Sequence, residues 1–299
     1  MRTAIRCALP VAAVGVLALA APAGASALSC GATVHKNVTL KSNLDCSSGG
    51  SGGLIVGRDG ITVDLNGHSI TGAGGLDGYE GIENEGYDNV TIENGTVKGF
   101  QDDVFLSNAA RNTVKGMDLR NNGLGFYNGI YSTSGTGNHF TDNHIKYSRY
   151  GIYMDKGGGN RVLGNVFKDA ANGVYTTIET HDNISHNTSK GFSILTYAFN
   201  SQHDVSQRYR QDVASGGYIG FYIYDPVKVL VDKATATENG YAGVDVEANK
   251  AGGVLVQNST ASNNDEYGMY AANAIPSRHN VALGNDFFNC YLVNCNGGS

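Results

Sequence analysis

Tryptophan is absent from this 299-residue chain, and proline occurs only four times. Helical periodicity is absent as well, so the sequence predicts no helices. The low proline content, with 41% hydrophobic residues and no low-complexity tract, excludes disorder and a collagen-like helix. Lysine and arginine form no basic stripe along the sequence, and the formal charge is −6. Nucleic acid is therefore not an expected partner.

Long apolar runs are also missing after residue 27, so no membrane span is predicted. The first 27 residues have the pattern of an export signal. Arg2 and Arg6 form the charged start, Cys7 to Ala21 the apolar run, and Ala25-Ser26-Ala27 the cleavage site. Loss of two arginines would take the charge from −6 to −8. We expect a secreted, extracellular monomer whose mature chain, residues 28–299, forms one domain.

Cysteine is scarce, and four of the five cysteines remain after the signal: Cys30, Cys46, Cys290 and Cys295. They stand as one pair near each end of the mature chain. Four cysteines permit three pairings, and local closure of each end is the simplest. No C-x-x-C spacing occurs, so a metal site is not indicated. The cysteines are interpreted as disulfides at the two ends.

Glycine and asparagine are abundant, with 42 and 30 residues, and they mark a repeat. Each unit opens with glycine, an apolar residue and tyrosine, and two polar residues five positions apart follow. The clearest units are spaced by about 22 residues. They are Gly129-Ile130-Tyr131 with Asn138 and Asn143, Gly151-Ile152-Tyr153 with Asn160 and Asn165, and Gly173-Val174-Tyr175 with Asp182 and Asn187.

Short alternating segments between these turns predict short strands, and so small a unit can bury its apolar face only by stacking on its neighbours. Asparagine tolerates the left-handed conformation and can hydrogen-bond its counterpart in the next unit, which predicts a ladder. The repeats, with Asp64-Leu65-Asn66-Gly67-His68-Ser69-Ile70, resemble right-handed parallel β-helix proteins of the pectate-lyase-like superfold. The resemblance covers Leu54 to Phe288. It implies an all-β solenoid of roughly nine or ten coils.

The resemblance further implies a groove along one parallel sheet in which sugar polymers lie. If the apolar residue after each opening glycine points inward, tyrosines at Tyr131, Tyr153, Tyr175 and Tyr222 point outward. These side chains are candidate substrate contacts because aromatic rings can stack on sugars. The structural alternative is that they stack on each other across the strands.

Charged residues cluster around one of these strands, where Arg149, Tyr153, Asp155 and Lys156 occur together. Elimination or epimerisation beside a uronate carboxylate needs a cation, a base and an acid, and these residue types can supply all three. They are the candidate catalytic residues. The alternative is a solvated surface ion pair.

The repeat is least regular over residues 193–219, which predicts a loop that forms a wall or lid over the tyrosines. Arg210 is therefore a candidate catalytic residue, and His203 and Asp212 are candidate substrate contacts. Simple decay of the repeat is the alternative.

A second acidic patch, Asp225, Asp245 and Glu247, lies about 19 Å from Asp155 at the usual strand spacing. Paired carboxylates can hydrolyse a glycosidic bond or bind calcium, the one cofactor that the sequence leaves open. No metal site is assigned.

Motifs of the enzymatic branches are incomplete. Asp102-Asp103 is similar to a polygalacturonase pair, but neither Gly-His-Gly nor Arg-Ile-Lys accompanies it. Two functions stay open: a lyase or epimerase on an acidic polysaccharide, and a non-catalytic module that binds glycan or serves as a scaffold.

Overall fold

The computed structural model describes residues 28–48, 50–74, 78–121, 127–191, 197–247 and 253–296. The predicted export signal, residues 1–27, lies outside these ranges. Within them the chain is all β. The described part therefore offers no helix with which to cross a membrane.

All strands pair in parallel with strands of the next coil, where a coil is one full turn of the solenoid. The first sheet has 12 strands: β1 Ala32–Val34, β4 Leu54–Val56, β7 Glu80–Glu85, β9 Asp102–Ser107, β11 Asn128–Thr133, β14 Tyr150–Asp155, β17 Asn172–Thr177, β20 Tyr197–Gln202, β23 Ile219–Tyr224, β26 Ala242–Glu247, β29 Tyr267–Ala271 and β32 Phe288–Tyr291. The structure is a right-handed parallel β-helix of about 11 coils, close to the predicted nine or ten.

The remaining strands form two further ladders, joined because the long strands β8 and β10 run through both. They are β2 Val38–Thr39, β3 Leu44–Asp45, β5 Thr62–Asp64, β6 Ser69–Thr71, β8 Thr91–Lys98, β10 Thr113–Arg120, β12 His139–Thr141, β13 His144–Lys146, β15 Arg161–Leu163, β16 Val166–Lys168, β18 Asn183–Ser185, β19 Thr188–Lys190, β21 Arg208–Arg210, β22 Val213–Ser215, β24 Val229–Asp232, β25 Thr235–Thr237, β27 Val254–Gln257, β28 Thr260–Ser262, β30 Ser277–Arg278, β31 Asn280–Leu283 and β33 Cys295–Asn296.

The core is built from apolar side chains that repeat at one position of every coil. Ile130, Ile152 and Val174 pair in register on the first sheet, and all three are fully buried. Further along, Phe199 and Phe221 occupy the same column with their rings stacked 4.7 Å apart. Each coil thus buries its apolar residues against the next, as expected for a unit too small to have its own core.

The position that opens each repeat has little room for a side chain, which explains the glycine there. A Cβ atom built on Gly129 would lie 2.5 Å from Cγ2 of Ile145 and 2.7 Å from the carbonyl oxygen of Gly151. In strand β9 this position is occupied by Asp103, which is fully buried. Neither of its carboxylate oxygens has a hydrogen-bond partner among the described residues. Burial, with the nearby Asp102 charge, raises the pKa of Asp103 well above its usual range.

The predicted asparagine ladder is present. The backbone N–H of Asn143 donates to Oδ1 of Asn165 at 3.0 Å, and the N–H of Asn165 donates to Oδ1 of Asn187 at 2.9 Å. The series continues to Asp212, whose Oδ1 accepts from the Asn187 N–H at 2.8 Å. The left-handed backbone belongs to the residues one position earlier, with φ of 54° at Asp142 and 58° at His186. Hydrogen bonding to the next coil, and not tolerance of left-handed φ, therefore explains these asparagines.

Besides Asp103, a cluster of three carboxyl groups is buried inside the solenoid: Glu179, Asp182 and Asp204. Thr176 donates from Oγ1 to Oδ2 of Asp204 at 2.5 Å and lies 3.2 Å from the hydroxyl of the fully buried Tyr209. Burial raises the pKa of Glu179 to about 9, with Asp182 adding to the shift, and raises the pKa of Asp204 to about 6. This cluster is therefore partly protonated at neutral pH.

Both ends carry a local disulfide, as the sequence predicts. Cys30 is bonded to Cys46 with a Cα–Cα distance of 5.6 Å, and Cys290 is bonded to Cys295 with a Cα–Cα distance of 6.4 Å. The first links the residues just before β1 to those just after β3 within the first coil, and the second joins β32 to β33.

The loop predicted over residues 193–219 is wrong for the described part, residues 197–219. Strands β20, β21 and β22 form a regular coil that pairs in register with the coils before and after it. Ala198 replaces the opening glycine there, and Phe199 replaces the aliphatic residue, which hides the repeat in the sequence. The described residues 197–219 therefore form neither a wall nor a lid.

Candidate functional site

The outer surface of the first sheet carries the predicted tyrosines in one column along the solenoid. We call this surface the tyrosine face. The column consists of Glu83, Phe105, Tyr131, Tyr153, Tyr175, Asn200, Tyr222, Asp245, Tyr270 and Tyr291. The predicted outward positions are confirmed, and the structure adds Asn200, which the irregular repeat had concealed.

Most of these rings contact each other. Tyr131 and Tyr153 stack with ring centroids 4.7 Å apart at an interplanar angle of 9°, and Tyr150 stacks on Tyr175 at 4.8 Å. Stacking along the column covers the ring faces and leaves edges and hydroxyl groups for solvent. Cross-strand stacking therefore accounts for much of this tyrosine pattern, and the polar groups set among the rings must carry the chemistry.

The first such group is Asp155 on β14. Its side chain is only 8% exposed, and the Nζ of Lys156 lies 2.9 Å from its Oδ2. Burial, followed by the Asp155 charge, raises the pKa of Tyr153 above its ordinary value. The guanidinium carbon of Arg149 lies 5.1 Å from the ring centroid of Tyr150, which in turn contacts Tyr153. The structure thus gathers the four predicted residues of this coil around one strand.

Arg210 and Asp212 lie elsewhere. Arg210 ends strand β21, which pairs with β24 away from the first sheet. There its Nε is 3.2 Å from Oδ2 of Asp232. Asp212 is fully buried in the asparagine ladder, and burial raises its pKa to about 7. The structure does not bring either residue to the tyrosine face.

His203 lies at the border of this face, in the turn after β20. Its ring meets the edge of the Tyr224 ring at a centroid distance of 5.3 Å. Its Nε2 is 4.0 Å from Oδ2 of Asp225, which follows β23, so these two residues in corresponding turns of neighbouring coils form an exposed pair.

The second polar group is Asp245 on β26. Its in-register neighbours in the column are Tyr222 on one side and Tyr270 on the other. Although it points outward, Asp245 is only 3% exposed, and its Oδ1 has no hydrogen-bond partner among the described residues. Burial and then the charge of Glu247 raise the pKa of Asp245 to about 7.

Glu247 lies two residues further on the same strand and is exposed. The hydroxyl of Tyr222 donates to its Oε2 at 3.2 Å. Because side chains two residues apart share one face of a strand, both carboxyl groups border the same surface, with Cα atoms about 7 Å apart. Asp245 and Glu247 are therefore a pair of carboxyl groups in unequal environments, as acid–base catalysis requires.

Stacked tyrosines lie around Asp245 and Glu247. Tyr197 stacks on Tyr222 at 4.8 Å, and Tyr241 stacks on Tyr218 at 5.2 Å. Burial raises the pKa of Tyr241 to about 12, and the nearby Asp245 adds to this shift. The sequence shows that Asp245 is acidic but does not predict its burial, because its neighbours Tyr222 and Tyr270 lie on other coils.

A third buried carboxyl group, Asp102, opens strand β9 near the other end of the face. It is 2% exposed, and the Nδ2 of Asn128 donates to its Oδ1 at 2.7 Å. Burial raises the pKa of Asp102 to about 7 despite this hydrogen bond. Asp102 and Asp103 thus belong to different surfaces of the solenoid, and the Asp-Asp motif does not form a pair.

Comparisons with known proteins agree with this architecture. A family model described as periplasmic copper-binding protein (NosD) matches residues 59–205. No curated protein sequence matches the chain. The catalytic domain of a GH87 α-1,3-glucanase in complex with nigerose is 14% identical with a TM-score of 0.54, over 91% of this chain and 63% of that chain.

Two further solved structures share the fold. The periplasmic alginate epimerase AlgG is 14% identical with a TM-score of 0.58, over 79% of this chain and 63% of the epimerase. PfbA, a surface adhesin of Streptococcus pneumoniae, is 12% identical with a TM-score of 0.57, over 87% of this chain and 84% of the adhesin. The chain therefore spans less than two thirds of the glucanase and epimerase chains. At these identities the likeness shows the parallel β-helix fold alone.

The copper centre suggested by the family description does not fit the described residues. Copper favours imidazole, thiolate and thioether ligands. The four cysteines are in disulfides, and Met117, Met154 and Met269 are buried in the core. The described ranges contain no group of three or more histidine, cysteine, aspartate or glutamate side chains that could hold a metal ion.

Proposed function

We propose that the protein is carbohydrate-active and that a polysaccharide lies on the tyrosine face, where Asp245 and Glu247 perform acid–base chemistry on a glycosidic bond. The single observation that carries this proposal is Asp245. It is an outward carboxyl group that is almost fully buried, lacks a partner at Oδ1, and has a pKa of about 7. Such a group can donate a proton at neutral pH.

The roles follow from the two environments. Asp245 in its protonated form donates to the oxygen of the leaving sugar. The exposed Glu247 has access to water and takes the role of base or nucleophile. The hydroxyl of Tyr222 donates to Glu247 and orients it. Exposed edges and hydroxyls of the tyrosine column supply hydrogen bonds to sugar hydroxyls along the groove.

Two of the proteins that share the fold, a glucanase and an alginate epimerase, act on carbohydrates, which supports a carbohydrate substrate. The disulfides, the signal-like residues 1–27 and the periplasmic family description support a location outside the cytoplasm.

A second candidate site favours the lyase or epimerase reaction. Lys156 neutralises Asp155 at 2.9 Å, and Arg149 lies beside the same strand over Tyr150. A uronate carboxylate could bind to these cations, with Tyr153 as the proton donor. The ion pair engages Lys156 before any substrate arrives, which makes this candidate weaker than the Asp245 pair.

The test is a proton NMR time course of the purified chain with neutral α- and β-glucans and with polyuronates. New reducing-end signals that disappear in Glu247→Gln support hydrolysis at the Asp245 pair. Olefinic signals, or signals of epimerised sugars, that disappear in Lys156→Gln would assign the reaction to the Asp155 site. The matched control is Asp225→Asn, an exposed carboxylate of the neighbouring turn, which should keep wild-type turnover. Unchanged spectra with every glycan would contradict catalysis and favour a non-catalytic glycan-binding module.

A further inference from the structure

Five cationic side chains occupy one column on the ladder that contains β13, β16 and β19, on a different surface from the tyrosine face. They end strands β8, β10, β13, β16 and β19, and each pairs in register with the next. We call them the basic column, which consists of Lys98, Arg120, Lys146, Lys168 and Lys190. Because parallel strands are about 4.8 Å apart, the column is about 19 Å long.

Lysine and arginine form no basic stripe along the sequence, but in the folded chain five of them form this one, which corrects the expectation from the sequence. Members of the column are one coil apart in sequence, so no two of them are close along the chain. The fold alone brings them together.

Within the described ranges, the four lysines of the column form no salt bridge, and Arg120 is bound to Asp118. The charges of Asp118 and Asp45 act on Lys146 and Lys98 from a longer distance. Lys168 and Lys190 are exposed, and Lys98 and Lys146 are partly exposed. Like charges directly opposite each other on neighbouring strands destabilise a sheet. The column therefore costs stability in the free protein, and a bound polyanion would relieve this repulsion.

We propose that the basic column binds a linear polyuronate that lies along the axis of the solenoid. An extended polyuronate presents one carboxylate per sugar, which complements a straight file of one cation per coil. The column is one side chain wide, and the protein is otherwise acidic with a formal charge of −6. The attraction is therefore local to this strip and directs the polymer along it.

Aromatic side chains argue against a nucleic acid as the ligand. Single-stranded nucleic acids bind through a basic groove combined with aromatic rings that stack on bases. In the column and the positions that directly follow it, Gly99, Asn121, Tyr147, Asp169 and Gly191, the one aromatic residue is Tyr147. A single ring provides no stacking platform, and a sugar polymer needs none.

This inference goes beyond the proposed function because it uses other residues on another surface. The column would hold the protein on an anionic polymer whether or not the tyrosine face is catalytic. The two hypotheses can therefore fail separately.

The experiment measures binding of a fluorescently labelled oligogalacturonate of ten sugars by anisotropy at low ionic strength. The test variant is Lys146→Gln/Lys168→Gln/Lys190→Gln. The matched control is Lys36→Gln/Lys41→Gln/Lys228→Gln, which removes the same charge from three exposed lysines outside the column. The test variant should bind roughly 30- to 100-fold more weakly, since each exposed ion pair contributes roughly three- to fivefold. The control should change less than threefold, and added salt should weaken binding by the wild-type protein.

Three results would overturn the inference: no binding of the oligogalacturonate by the wild-type protein, an equal loss in both triple variants, or tighter binding of a single-stranded oligonucleotide than of the oligogalacturonate. Circular dichroism of each variant confirms that the fold is kept. Asp225→Asn, an exposed carboxylate outside the column, should bind the probe like wild type. Anisotropy reports binding and not turnover, so an absence of catalysis at the tyrosine face leaves this measurement unaffected.

Discussion

Asp155 and Asp245 are both carboxyl groups buried on the outer surface of one sheet, yet their neighbours have opposite charge. Lys156 contacts Asp155 at 2.9 Å, whereas Asp245 stands beside Glu247 and has an unpartnered oxygen. Burial alone does not define a reactive carboxyl group. A cation next to the group stabilises its charged form, whereas an anion and tyrosine rings favour the proton and leave the group ready to donate it.

The largest expected difference between the two sites is in turnover. Asp245→Asn should lower kcat about 10²- to 10⁴-fold, because it removes a general acid while keeping the shape of the side chain. Asp155→Asn is the matched change and should lower kcat less than tenfold. Initial rates on the glycan identified by NMR measure both. A larger loss from Asp155→Asn would reverse the assignment of the two sites.

The pH profile sharpens the same contrast. The pKa of Asp245 is raised to about 7, so the acid form is present below that pH and is lost above it. Activity should therefore fall as pH rises through about 7, by about tenfold per pH unit well above it. Steady-state rates between pH 5 and 9 test this limb. A rate that rises over this range would show that Asp245 does not act as the acid.

The aromatic stack beside Asp155 should contribute to the stability of the fold. Tyr153 contacts three other rings near Asp155, and Tyr153→Ala should lower the free energy of unfolding by roughly 1–2 kcal/mol through lost stacking. Tyr153→Phe keeps the ring and should be nearly neutral. Urea denaturation measures both changes. Equal losses from both variants would mean that the hydroxyl, and not the stack, stabilises this coil.

The smallest effect is expected from Lys156→Gln. Without the ammonium group, the buried Asp155 loses its counter-charge and leaves an uncompensated carboxylate in a poorly solvated position. The melting temperature at neutral pH should therefore fall slightly, whereas Lys228→Gln, the exposed-lysine control, should leave it unchanged. Differential scanning calorimetry of both variants tests this. An equal change in the two variants would contradict the role of the ion pair.

Much of the fold was predictable because each coil repeats the same demands. Gly129 and its counterparts avoid a clash with interior side chains and with the next coil. Asn143 and Asn165 hydrogen-bond to the next coil. Both residue types therefore recur periodically in the sequence. The coil that begins at Tyr197 was missed because Ala198 and Phe199 satisfy the same space with other residue types. Packing constrains the volume of the side chain at each position, whereas a repeat search compares residue types.

The candidate site was predictable only in part. Outward tyrosines follow from strand alternation, and Asp245 was recognised as acidic. Its burial depends on rings from other coils, and the column from Lys98 to Lys190 depends on register across several coils. Neither property exists within one repeat, so neither could be derived before the coils were aligned.

The interior carboxyl groups give the folding reaction a chemical stoichiometry. Glu179 and Asp204, with ordinary pKa values of 4.5 and 3.8, have pKa values of about 9 and 6 inside the solenoid, so the folded chain holds protons that the unfolded chain has released. Each such group lowers the free energy of unfolding by up to about 1.4 kcal/mol per pH unit as pH rises between its two pKa values. Folding at neutral pH therefore consumes hydrogen ions, and unfolded chain refolding in weak buffer would turn the solution more alkaline.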